Sequence, residues 1–116
     1  MDVERLREKT KQLQQLNQEA LQIYEETMKK NQSPDFYTEV KPFADEVKKH
    51  ADEWKELAEQ WIIQSHPKYF YVKQIQDTYD NILYASVLAF QTDTKKKRFH
   101  EMIQSIDYIL EGILKE

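Results

Sequence analysis

The sequence predicts an all-α fold, an antiparallel up-down-up-down four-helix bundle with a kink or break near Pro42, and three observations carry that prediction. A single glycine (Gly112) and three prolines (Pro34, Pro42, Pro67) interrupt 116 residues. Between these breaks apolar side chains recur every three to four positions, the spacing that gathers them on one face of an α-helix. The connections between the four periodic stretches are short, which favours antiparallel neighbours.

Residues 2–30 read as the first helix. Leu6, Leu13, Leu16, Ala20, Ile23 and Thr27 define its apolar stripe, and Leu21, Tyr24 and Met28 widen it. At 1.5 Å per residue such a helix is roughly 40 Å long. Glu25 to Lys29 and Glu26 to Lys30 stand in the favourable i,i+4 orientation on its outer side. Asn31-Gln32-Ser33-Pro34-Asp35 then ends it, with Ser33 expected as the next N-cap and Pro34 as the first helical residue.

The second stripe runs through Phe36, Val40, Phe43, Val47, Ala51, Trp54, Ala58 and Trp61, and it keeps register across Pro42. A proline inside a helix costs about 3 kcal/mol, so a bend or break is expected between Val40 and Pro42. His66-Pro67 closes the segment, because proline turns its predecessor away from helical angles. A third stripe follows with Val72, Ile75, Tyr79, Ile82, Leu83, Ser86, Ala89 and Phe90. Thr92-Asp93-Thr94 offers cap residues, and the fourth stripe is Phe99, Met102, Ile103, Ile106, Leu110 and Ile113.

Composition sets the class. Residues 1–116 are enough for one domain with a core of its own, and 40% apolar with 33% charged residues is too apolar for a disordered chain and too charged for a membrane span. Residues 1–9 alternate charge with no apolar core and do not read as a secretory signal. Together with the absence of cysteine this predicts a cytoplasmic protein without disulfides. The net charge of -4 makes nucleic acid an unlikely general partner.

The topology would bring the 1-2 and 3-4 connections to one end, where Lys29 and Lys30 meet Lys95, Lys96, Lys97 and Arg98. Cations in the first turn of a helix oppose its dipole. This basic end is either a contact for phosphate or another anion, or a solvated charge run. The other end gathers Lys68, Tyr69, Phe70 and Tyr71 with both chain termini. Its aromatics either form a peptide-docking patch, or at least two of them plug the open bundle.

Catalytic and metal signals are weak. Glu46, His50 and Glu53 share one helical face, but the carboxylate-bundle metal motif needs a Glu-x-x-His on each of two helices, and the sequence has neither. His66 and His100 are isolated, and Asp77, Asp80 and Asp107 have no nucleophile or histidine at a defined spacing. No metal, cofactor or enzymatic activity is therefore expected. The stripes of the last two helices are wide, so Val87, Leu88 and Leu114 either crowd the core or face a second copy in a homodimer.

Several short motifs occur together and in order: Asp35-Phe36, Lys41-Pro42, Pro67-Lys68-Tyr69, Gln74-Ile75, Asp80-Asn81 and Lys96-Lys97-Arg98-Phe99. With them residues 34–111 resemble the YppE-like family of small bacterial proteins, a domain of unknown function. The resemblance implies a cytosolic all-helical bundle with no assigned activity, cofactor or partner. The reading at this level is a non-catalytic protein-interaction or regulatory bundle with an unknown protein partner. Its alternative is an anion or nucleic-acid contact through the basic end.

Overall fold

The computed structural model describes residues 3–116, and the expected helix start at Asp2 lies outside them. Helix α1 (Val3–Lys30) buries Leu6, Leu13, Leu16, Ala20, Tyr24 and Thr27. Two polar residues complete the stripe where the apolar pattern is blank. Thr10 and Asn17 are fully buried. Thr10 Oγ1 donates to the Leu6 carbonyl at 2.7 Å and accepts the Trp54 indole N–H at 3.1 Å. Asn17 Nδ2 donates to the Ile103 carbonyl at 3.1 Å. Tyr24, rather than the expected Ile23, takes the inward position. The helix stops at Asn31, whose φ of 52° lies in the left-handed region that asparagine tolerates well, and its N–H closes on the Thr27 carbonyl at 2.8 Å.

The break expected near Pro42 takes the form of a π-helical turn, Phe36–Val40. Asp35, not Ser33, caps it, accepting the Thr38 N–H at 2.9 Å, so Pro34 stays outside the helix. The Val40 N–H reaches the Asp35 carbonyl and the Lys41 N–H reaches the Phe36 carbonyl, both one residue wider than α-helical bonds. Helix α2 (Lys41–Ser65) follows directly, with Pro42 in its first turn, where an absent N–H costs least. The wider turn carries Phe36 out of the stripe expected for it, and Phe36 and Tyr37 are both exposed. Helix α2 ends on His66, the second residue at positive φ (47°), with its N–H on the Ile62 carbonyl.

Helix α3 (Val72–Leu88) opens with the Tyr71 N–H donated to Gln74 Oε1 at 3.0 Å. Helix α4 (Lys96–Leu114) has Lys95 at its N-cap, not a residue of the Thr92-Asp93-Thr94 run. Thr94 does different work. It is buried, its hydroxyl donates to the Leu88 carbonyl at 3.0 Å, and its own carbonyl accepts the Tyr24 hydroxyl at 2.7 Å. The residue expected to start α4 therefore closes the end of α3 and ties it to α1.

The four helices run up, down, up and down, each packed on its sequence neighbours, with α1 against α4 closing the ring and α1 touching α3 across the centre. Trp54, Ile75, Ile82, Phe99, Ile106 and Leu110 fill the middle with almost no exposure. Full burial of each aliphatic side chain contributes about 1.5–3 kcal/mol. Polar bonds pin the helices sideways: Lys9 to Glu53 at 2.6 Å, Gln14 to Glu111 at 2.8 Å, and Arg7 Nη1 to the Leu114 carbonyl at 2.7 Å. This last bond puts a cation on the negative end of α4.

Candidate functional site

At the end where α2 passes into α3, the three consecutive aromatics separate. Phe70 turns inward, its ring 5.6 Å from that of Trp61. Tyr69 and Tyr71 stay out, 67% and 59% exposed. The expectation that at least two of the three plug the bundle is corrected to one. Alternation explains it, because Tyr71 caps α3 in extended backbone and sends its neighbour the other way. Lys68 lies over the Tyr69 ring, its Nζ 5.4 Å from the centroid, within cation–π range.

Phe70 finds its seat on α4. A Cβ at position 112 would stand 2.9 Å from Phe70 Cζ, so the ring occupies space that only glycine leaves open. Beside this contact lies a groove of about 730 Å³, lined by Tyr69, Phe70, Gln74, Gln104, Asp107, Tyr108, Ile109, Glu111, Gly112, Lys115 and Glu116. Tyr108, 78% exposed, forms the α4 side. Tyr108 and Gly112 stand at i and i+4, so one helical face presents both. Sequence reasoning placed the Tyr69 side and missed Tyr108 and Gly112. A glycine inside a helix, which costs about 1 kcal/mol relative to alanine, was the available signal for a close approach.

At the opposite end, Lys29 and Lys96 line one shallow groove with Tyr24, Glu25, Met28 and His100. Lys30, Lys95, Lys97 and Arg98 are exposed around it. None of these six cations forms an ion pair among the described residues. The first turn of α4 has no side-chain cap and no acidic residue. His100 is half-buried and meets Tyr24 edge-on at 6.3 Å between ring centres. Burial raises the Tyr24 phenol above its ordinary value.

Glu46, His50 and Glu53 do not converge on a common point for a ligand. Glu53 pairs with Lys9 at 2.6 Å, and that hydrogen bond above all holds its carboxyl below the usual range, with the charges of Lys9, Arg5 and His50 adding to it. His50 is half-buried, and its Nδ1 has no hydrogen-bond partner among the described residues. No group of three or more His, Cys, Asp or Glu among the described residues is placed to hold a metal ion. Asp77 pairs with Lys73 at 3.0 Å along α3. On the apolar flank, Leu88 packs against the core and Leu114 is half-buried, while Val87 is 39% exposed.

Residues 10–116 match the model of a bacterial domain of unknown function, DUF1798. The chain belongs to that family. The uncharacterized protein YppE of Bacillus subtilis (strain 168) is 30% identical over 111 residues, covering 96% of this chain and 90% of YppE. Two solved structures agree with the fold. The YppE crystal structure superposes with a TM-score of 0.92 at 30% identity, over all of this chain and 94% of that one. A Listeria innocua protein of unknown function gives 0.90 at 32% identity, over 95% of this chain and 88% of that one. The resemblance drawn from the short motifs thus holds along nearly the whole chain, α1 included. Among the described residues no helix is long and apolar enough to cross a membrane.

Proposed function

We propose that this DUF1798 chain is a non-catalytic interaction module of the bacterial cytoplasm, and that its contact surface is the groove beside Phe70 and Gly112. One observation carries the reading: two tyrosines from different elements, Tyr69 and Tyr108, stand exposed on either side of a groove whose floor is apolar. Exposed tyrosines bring large contact area at little entropic cost, which is why they recur at interface centres. Phe70 behind them is packed on Trp61 and Gly112, which favours a preformed surface for the partner.

Affinity capture from native lysate tests this, using the wild-type chain, a Tyr69→Ser/Tyr108→Ser variant and a variant with Lys95 to Arg98 reversed in charge. A partner lost with the tyrosines and kept on charge reversal supports the reading. A partner kept without the tyrosines overturns it.

The uncapped first turn of α4, with Lys96, Lys97 and Arg98 beside Lys29 and His100, favours a second reading in which that end contacts an anion. Exposed first-turn amides and cations together suit phosphate groups. Salt-sensitive binding of polyphosphate that disappears when Lys95 to Arg98 are neutralised is its expected signature. Binding unaffected by neutralisation rules it out. The exposed Val87 leaves a homodimer as a further form of self-interaction. Mass measured across a dilution series decides that, and a strict monomer removes it.

A further inference from the structure

We infer that the aromatic groove takes an extended peptide segment that sets a lysine or arginine beside an apolar side chain. The inference rests on the interaction reading above and adds the chemistry of the partner.

The charge of the rim points to a cationic ligand. Asp107, Glu111 and Glu116 line the groove against the single cation Lys115. Lys68, just outside the lining, already lies over the Tyr69 ring, so a ligand cation reaches that face only by displacing it, and the carboxylates are the groups that receive the ligand's charge. The floor supplies the complementary apolar contact through Phe70 and Ile109. Glu111 already accepts from Gln14 at 2.8 Å, which leaves Asp107 and Glu116 for a ligand cation, and a ligand with only one of these features would leave either those two carboxylates to water or the apolar floor wet.

The extended shape follows from what adjoins the groove. Asp107 also borders a second, shallower groove of about 750 Å³ along α1. Gln14, Gln18 and Gln22 line that groove at i, i+4 and i+8, so one ridge of α1 presents a row of amide side chains. The Gln14 amide is held by Glu111, and those of Gln18 and Gln22, which both donate and accept, suit a peptide backbone running past them. A small cation would fill neither groove. Across the two linings four carboxylates (Glu19, Asp107, Glu111, Glu116) stand against two ammonium groups (Lys11, Lys115), so the track keeps one sign.

Three fluorescein-labelled dodecapeptides test the inference: one alternating leucine and lysine, one with glutamate replacing lysine, and one with serine replacing leucine. Binding is read by anisotropy, and its location by backbone amide shifts in the ¹⁵N-labelled full chain. The leucine–lysine peptide is expected to bind, shifting amides at Tyr69, Tyr108 and Gly112 and along Gln14 to Gln22, and to weaken as salt is raised. Asp107→Lys is expected to weaken it about five-fold, the scale of one partly exposed charge contact. Tyr108→Ser, at an exposed position that leaves the core intact, is expected to weaken it at least as much. Tighter or equal binding of the glutamate peptide at the same amides overturns the cationic partner and leaves the interaction reading standing. Shifts confined to other surfaces, or no binding by any peptide, overturn the inference, and lysate capture then decides the interaction reading separately.

Discussion

The Phe70 ring lies against the bare Cα of Gly112, with Cζ 2.9 Å from where any other residue would carry its Cβ. An alanine inside a helix is normally worth about 1 kcal/mol over glycine. Here the added methyl meets a ring that Trp61 backs on another side at 5.6 Å. Overpacking of this kind costs about 1–3 kcal/mol. Gly112→Ala is therefore expected to lose its propensity gain in the wild-type chain and to recover it in a Phe70→Ala background. Urea denaturation of the four chains of this double-mutant cycle measures it, with a coupling of about 1 kcal/mol or more expected. Additive effects would mean that the ring does not depend on the glycine.

Trp54 and Thr10 form the polar joint between α1 and α2 at the centre of the bundle, both fully buried. Thr10→Val keeps the shape of the side chain and removes the acceptor of the indole N–H. A buried donor left without a partner costs about 1–3 kcal/mol. The unfolding free energy from urea titration, followed by tryptophan fluorescence, is expected to fall by that amount, read as a lower midpoint at an unchanged m-value. Thr10→Ser, which keeps the hydroxyl, is expected to restore part of the loss.

How far these joints were legible in the sequence depends on which interactions specify them. The helices and their direction follow from local chemistry: the apolar period, Pro34 and Pro67, and residues such as Asn31 that stop a helix. Thr10 and Asn17 did not stand out, because burial of a polar side chain depends on partners that other helices supply, Trp54 and the Ile103 carbonyl. Phe36 was misplaced because a π turn advances the register by one residue, which a fixed helical period does not track. Ser33 and Asp35 were rival caps two positions apart, and the turn that follows selects Asp35. Half of the candidate groove was visible as Tyr69-Phe70-Tyr71. The other half, Tyr108 and Gly112, is joined to it only by the way α4 crosses the connection between α2 and α3.

Asp52 and Tyr79 make the stability of the α2–α3 contact depend on pH. The Tyr79 hydroxyl donates to Asp52 Oδ1 at 2.5 Å, and Lys48 Nζ reaches the other carboxylate oxygen at 2.9 Å. The Tyr79 bond chiefly, with help from Lys48 and against partial burial, holds the Asp52 carboxyl below its ordinary range. The same bond first, then partial burial and the Asp52 charge, raises the Tyr79 phenol, while Lys48 opposes. A depressed carboxyl contributes stability above its unfolded value of about 4, lost as pH falls through the folded one. A raised phenol contributes stability below its unfolded value of about 10, lost as pH rises through the folded one. Tyr79→Phe is expected to cost about 0.5 kcal/mol near neutral pH, a hydrogen-bond increment reduced for solvent exposure. Thermal unfolding of both chains across pH should show the difference shrinking below about pH 4 and above about pH 10. A difference that stays constant with pH would assign the effect to packing of the ring.

Lys95 stands where a helix N-cap is wanted, in extended backbone at φ −72° and ψ 133°, and gives no side-chain bond to the first turn of α4. Lys96, Lys97 and Arg98 then add three cations to the positive end of the helix dipole. Lys95→Asp supplies an acceptor for the free amides, worth about 0.5–2 kcal/mol. It also turns an unfavourable charge into a favourable one, adding about 0.3–1 kcal/mol. The variant is expected to unfold at higher urea with an unchanged m-value, and added salt should reduce the gain by screening the charge contribution. A stabilised variant that also loses salt-sensitive polyphosphate binding would show that the basic run trades stability for an anion contact. A stabilised variant in a chain that binds no polyphosphate would make the run a solvated surface whose electrostatic cost is only local.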